Sequence, residues 1–292
     1  MALENDQASS LRNAVRERQA GLSRKSVRCF AVASGKGGVG KTFLCVNLAV
    51  ALGQLGRKVL IIDADLGLAN ADLVLGVSPE FSLQDAVFKN KSFEEIVAKT
   101  PYNVDLLAAS SGAREMVSMG QARLKMLIDD LIGFASNYDV LIFDCAAGID
   151  SNVTSFLAAV PQTLLVATPQ PASIMDAYAL TKVVHQENLS KHLSLVVNMA
   201  ASDQEGERVR NILNRVSESY LSRKLELLGV IPESRGAVKA IYSRKPLVVV
   251  APDDPAARRL LDIAKKIIVS RDAETKLGDL DSQRLVNGLM KI

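Results

Sequence analysis

Residues 34–42 read Ser-Gly-Lys-Gly-Gly-Val-Gly-Lys-Thr, set between the apolar run Phe30-Ala31-Val32-Ala33 and a helix-length apolar stretch, 43–52, that stops near Gly53. A strand, a glycine-rich loop and a helix in that order commit the chain to an α/β fold with the loop at the carboxyl end of a strand. Residues 35–42 fit the G-x-x-x-x-G-K-[ST] spacing of a phosphate-binding loop. Gly35, Gly37, Gly38 and Gly40, with Val39 between them, let the backbone curl so that N–H groups point inward at anionic oxygens. The following helix adds its own orphan N–H groups and dipole. Lys41 supplies positive charge for the outer phosphates, and the Thr42 hydroxyl can ligate Mg²⁺. Lys36 is a second lysine, placed too early in the loop to serve the phosphates of its own site.

Short apolar runs alternate with helix-length segments from residue 29 to about 270. Strands are expected at 29–34, 58–63, 104–108, 140–144, 163–167, 194–198, 228–231 and 247–250. Most are near-continuous Val, Ile and Leu, the pattern of strands covered on both faces. Helices at 121–136, 172–188, 205–224 and 255–269 supply the covers. The expected fold is a doubly wound, mostly parallel sheet with helices on both faces, spanning 28–270, with tails at 1–27 and 271–292.

Charge is concentrated rather than spread. Residues 1–28 hold Arg12, Arg16, Arg18, Arg24, Lys25 and Arg28 against Glu4, Asp6 and Glu17, a surplus that equals the net charge of +3 for the whole chain. A near-neutral body disfavours specific nucleic-acid binding. Aromatic content of 4% without tryptophan disfavours a single-strand stacking platform. Cys29, Cys45 and Cys145 lack metal or redox spacing and read as buried small hydrophobes in a reducing compartment. The polar N-terminus is no signal peptide, and no apolar run reaches the ~18 residues that span a bilayer.

Strand ends carry the remaining chemistry. Val59-Leu-Ile-Ile-Asp63 is followed by Ala64 and Asp65, and Val140-Leu-Ile-Phe-Asp144 by Cys145-Ala-Ala-Gly148. A carboxylate at the tip of an apolar strand needs a nearby cation. Mg²⁺ shared by Thr42, Asp63 and Asp144 supplies one, with Asp144 acting through the metal's water shell. Asp65, two residues past its strand, can orient an attacking water. Gly148 can offer its N–H to a terminal phosphate, a hydrogen bond that hydrolysis would break. The Asn198 amide can pair with a purine edge or cap a turn.

Together these residues resemble the deviant-Walker ATPases of the MinD/ParA group, with signature K-G-G-x-G-K-[ST]. The likeness covers residues 28–270, through the loop, the Asp63-Ala64-Asp65 segment running to Asp72, the Asp144 to Gly148 segment and Gly229-Val-Ile-Pro-Glu233. It implies an ATP- and Mg²⁺-dependent switch that dimerises on ATP, Lys36 reaching the partner's phosphates and Asp65 positioning water. It also places Lys41 on phosphate, and Asn198 with Pro232 at adenine. Phe43 departs from the hydroxyl or amide residue that many relatives carry there, leaving only its backbone N–H for the α-phosphate.

Within the group, Asp6-Gln7-Ala8-Ser9-Ser10-Leu11-Arg12 is similar to the D-Q-A-x-x-L-R segment of flagellar number regulators of the FlhG, FleN or YlxH type. That resemblance implies stimulation of an FlhF-type GTPase, with Asp6, Gln7, Leu11 and Arg12 as the contact residues. Flagellar C-ring proteins or a flagellar transcription regulator are the further partners it implies. At the other end Leu285, Leu289 and Ile292 share a helical stripe with Val286 and Met290 alongside. In such proteins that stripe binds the inner membrane surface in the ATP-bound dimer, so a cytoplasmic protein becomes peripheral on the membrane. A helix packed on the domain is the alternative. The competing functions are a ParA-like DNA-partitioning ATPase and a MinD-type division-site regulator.

Overall fold

A computed structural model describes residues 26–65, 70–108 and 121–290. The N-terminal segment with Asp6, Gln7, Leu11 and Arg12 lies outside the described residues, as do positions 66–69, the side chains of Leu289 and Met290, and Ile292.

The strand β1 (Ser26–Ser34) sits mid-sheet because it is buried on both sides: Cys29, Ala31 and Ala33 face one apolar cluster, Phe30 and Val32 the other. The alternation of faces along a pleated strand explains why its sequence reads as one apolar run. The same holds for β2 (Val59–Ala64) and β5 (Val140–Ala147). With β3 (Ala98–Lys99), β4 (Val104–Leu107), β6 (Gln162–Ala167), β7 (His192–Ala200) and β8 (Glu226–Pro232), the sheet order is β3-β4-β2-β5-β1-β6-β7-β8. Pairing is parallel except for β3 on β4 and for β9 (Glu274–Lys276), which runs antiparallel to the start of β1. The connections diverge on either side of β1, and the phosphate-loop sequence follows it.

On one face lie α1 (Lys41–Gln54), α2 (Ala71–Leu75), α9 (Arg235–Tyr242), α10 (Leu247–Val250) and α11 (Pro255–Val269). The other carries α3 (Leu83–Phe88), α4 (Phe93–Ile96), α5 (Gln121–Ala135), α6 (Ser151–Ala159), α7 (Pro171–Gln186), α8 (Asp203–Leu221) and α12 (Ser282–Met290). Helix ends follow local chemistry. Ser202 accepts a hydrogen bond from the Glu205 N–H to open α8, and Asp254 accepts from Ala256 N–H to open α11, with Pro255 in its first turn. All three cysteines are buried and unpaired.

One expectation changes, and one alternative left open is met. Residues 247–250 form a helical turn, not a strand. The Asn47 side chain accepts from Val248 N–H at 3.2 Å and Gln54 donates to the Val248 carbonyl at 3.3 Å, so α1 claims the backbone groups a ladder would need. The terminal stripe is docked: α12 packs on α6 and α5, with Leu285 and Val286 2% and 1% exposed. Those two side chains therefore face the body and not the outside. Among the described residues no helix is long and apolar enough to cross a membrane.

Candidate nucleotide site

The loop after β1 has the shape its glycines suggested. Gly38 and Gly40 take φ of 80° and 83°, and Gly40 is the left-handed residue before α1. A Cβ there would also meet Asn198 Nδ2 at 2.5 Å. Gly35 is required for a different reason. Its Cβ would lie 2.1 Å from the Asp176 backbone oxygen, so the loop starts pressed against α7. Gly35→Ala is expected to cost about 1–3 kcal/mol through overpacking and to displace the loop. Gly37→Ala, where a Cβ meets nothing within 4 Å, is the matched control. Thermal unfolding of both variants checks this; equal midpoints would contradict it.

The two loop lysines live in opposite settings. Lys36 is exposed and in no ion pair among the described residues. Lys41 is buried, with Nζ 3.0 Å from Asp144 Oδ1. Burial alone would lower the Lys41 pKa, but the Asp144 charge and hydrogen bond reverse this and the net shift is upward. Burial likewise pushes Asp144 up, while Lys41 and the Thr42 hydroxyl pull it back.

Sheet register places Asp63 directly beside Asp144. Asp63 is 5% exposed, and desolvation, with the Asp144 charge second, pushes its pKa up to about 7. Its Oδ1 accepts from Asp65 N–H at 3.0 Å, which ties Asp65 to the strand end. Asp144 Oδ2 is buried without a hydrogen-bond partner.

A hydroxyl and two carboxylates, one of them with an orphaned oxygen, form a donor set of the right kind for Mg²⁺, which keeps several of its waters and takes few protein ligands. No cluster of three or more His, Cys, Asp or Glu suited to a metal occurs among the described residues. Protein alone would thus hold a metal poorly here, and phosphate oxygens would complete its shell.

Gly148 does not present a free N–H. It donates to the Ser34 carbonyl at 2.9 Å, closing the end of β5 onto β1, with φ of 113°. The expected phosphate interaction therefore needs this bond to open first. Asn198 donates from Nδ2 to the Val39 carbonyl at 2.9 Å, which fixes the amide plane. It borders a cleft of about 510 Å³ lined by Gly40, Phe43, Met199, Pro232 and Ile241 among others. A mostly apolar slot with one pinned amide suits a flat heteroaromatic base.

Met199, Val238 and Ile241 line that cleft but were missed in the sequence. The spacing of Val238 and Ile241 on a helix just after Pro232 was the available signal. Ser34 and the Asp176 backbone, which support the loop and Gly148, left none.

The family described as NUBPL iron-transfer P-loop NTPase, of ParA type, matches residues 25–268. The chain belongs to the ParA/MinD family of P-loop NTPases. It is similar to the antiactivator FleN of Pseudomonas aeruginosa, 37% identical over 82% of this chain and 86% of that protein. Similarity extends to the flagellum site-determining protein YlxH of Helicobacter pylori, at 32% over 90% of each. Among solved structures, the septum site-determining protein MinD complexed with Mg-ADP from Pyrococcus horikoshii superposes with a TM-score of 0.68 and 27% identity, covering 82% of this chain and 96% of that one. Membership in this ATPase family fits a site whose lysine, hydroxyl and paired carboxylates converge on one loop.

Proposed function

We propose that this protein is an ATP-dependent switch ATPase that regulates flagellar number or placement. The observation that carries the switch is the contrast between the loop lysines. Lys41 is committed to its own site, whereas Lys36 stands exposed and unpaired among the described residues, available to a second copy. Two subunits closing face to face would each complete the other's site with Lys36, so that ATP occupancy and dimerisation become one event. Likeness to FleN and YlxH directs the output to flagella.

Lys41 binds phosphate, the Thr42, Asp63 and Asp144 groups hold Mg²⁺, and Asn198 with Pro232 seats adenine. Mg²⁺ supplies charge neutralisation of the phosphates when bound. Asp65 orients the attacking water. Hydrolysis is slow and resets the monomer.

The N-terminal segment is the arm toward an FlhF-type GTPase, where Gln7 would orient water in the partner's site. A flagellar ring protein or transcription regulator reads the dimer. The C-terminal helix engages the membrane surface only after leaving its dock, since Leu285 and Val286 are buried. Two such helices in a dimer give the avidity that one lacks.

Light scattering of the Mg·ATP-loaded protein tests the switch. Wild type should double in mass and Lys36→Ala should stay single; a wild type that remains monomeric ends this reading. A peptide of residues 1–25 should raise FlhF GTP turnover, and Gln7→Ala in it should abolish that gain.

A further inference from the structure

One stretch of the otherwise near-neutral body is strongly basic. Between residues 234 and 252 the chain carries Arg235, Lys239, Arg244 and Lys245 and no acid. All four side chains are exposed, and none has an ion-pair partner among the described residues. Arg235 and Lys239 stand one turn apart on α9, where like charges repel. Arg244 and Lys245 follow in the turn to α10, held there by Lys245 N–H donating to the Ala240 carbonyl at 3.1 Å. Four neighbouring cations without internal compensation are available to an anion from outside.

The same stretch exposes apolar surface. On α9 the buried Ala240 faces inward and Val238, Ile241 and Tyr242 are left outward, the last 86% exposed. Val249 and Val250 emerge at the end of α10, while Leu247 and Val248 anchor it in the core. Gly76 lets α2 abut the turn, since a Cβ there would lie 2.2 Å from the Arg244 carbonyl oxygen. That approach brings the exposed Leu73 of α2 to the edge of the patch.

We propose that the surface formed by α9, α10 and the turn between them binds anionic lipid in the nucleotide-free protein, its four cations meeting headgroup phosphates while Tyr242, Val249 and Val250 enter the interface. Protruding aliphatic and aromatic side chains among Lys and Arg are the composition that lies in a headgroup layer. Nucleic acid would use the cations but give the valines no place. The terminal stripe does not make this contact: Leu285 and Val286 are buried, and α12 packs on the opposite face of the sheet from α9 and α10. The patch therefore serves the state in which α12 is docked. Needing no nucleotide, it stands or falls separately from the site described above.

The chain has no tryptophan, so Tyr242→Trp installs a single fluorescent reporter in the patch. With nucleotide removed, the full chain carrying it should show blue-shifted emission on vesicles of phosphatidylglycerol and phosphatidylcholine in equal parts, and quenching by brominated acyl chains. Vesicles of phosphatidylcholine alone should leave the spectrum unmoved, and raised salt should reverse the shift. Adding Arg244→Ala and Lys245→Ala should weaken binding about thirtyfold, a factor of about five for each cation. All three positions are exposed, so folding is not at stake. Pelleting with the same vesicles checks the chain with Tyr242 in place. Wild type remaining in the supernatant overturns the proposal. Pelleting that persists with Arg244→Ala and Lys245→Ala overturns it too, by assigning lipid to another segment. Retention of duplex DNA with no blue shift on vesicles would make the patch a nucleic-acid surface and end the lipid reading.

Discussion

Asp65→Ala is expected to lower ATP turnover by about 10²–10⁴-fold while Mg·ATP remains bound. On the proposed mechanism, burial separates the jobs of the carboxylates. Asp63 and Asp144 are enclosed at adjacent strand ends, where desolvation and mutual repulsion raise the Asp63 pKa to about 7. Asp65 lies beyond the strand, half-buried, with its backbone N–H held by Asp63. A water-positioning group needs that access more than a tuned pKa, because phosphoryl transfer is limited by in-line placement. The variant should accumulate as the nucleotide-bound dimer. Steady-state phosphate release beside nucleotide affinity separates the effects: a loss confined to affinity, or unchanged turnover, would remove Asp65 from this role.

Asp63→Asn should stabilise the nucleotide-free protein by about 2–4 kcal/mol at pH 8 and by almost nothing at pH 4. The sign follows from the direction of the shift. Asp63 titrates near 7 in the fold but near 3.9 in an unfolded chain, so the folded state holds a proton that the unfolded state has released between those values. Stability accordingly falls as pH rises through that window, and the full penalty is present above about 7. Asparagine has no charge to desolvate and keeps an oxygen for the Asp65 N–H. Urea unfolding of both proteins at the two pH values checks the claim; a difference independent of pH would show that Asp63 is ionised without penalty.

The sequence made some of this legible and hid the rest for physical reasons. The central strands could be read because burial on two faces leaves an uninterrupted apolar run, as in Val140 to Phe143. The phosphate loop could be read because left-handed backbone at Gly38 and Gly40 has few residue solutions. Residues 247–250 misled because Val is a strand former locally, and the side chains that override it, Asn47 and Gln54, lie some two hundred positions away. The amphipathic end was visible as a pattern, yet a stripe at Leu285 and Val286 is equally suited to a protein surface or a lipid one. Tertiary packing chose the former here. Gly148 was recognised as a special position, but its engagement with the Ser34 carbonyl depends on two strand ends meeting. The β3 and β9 strands, at two and three residues, are too short to leave a periodic trace.

The pairing of Ser26 with Lys276 gives the molecule a polarity. It brings the entry of the described chain and the approach to its last helix to a shared address, at the foot of β1. The phosphate loop stands at the top of that same strand, about 25 Å away. A load borne where β9 meets β1 would sit clear of that loop, and a single stiff rod would link the two.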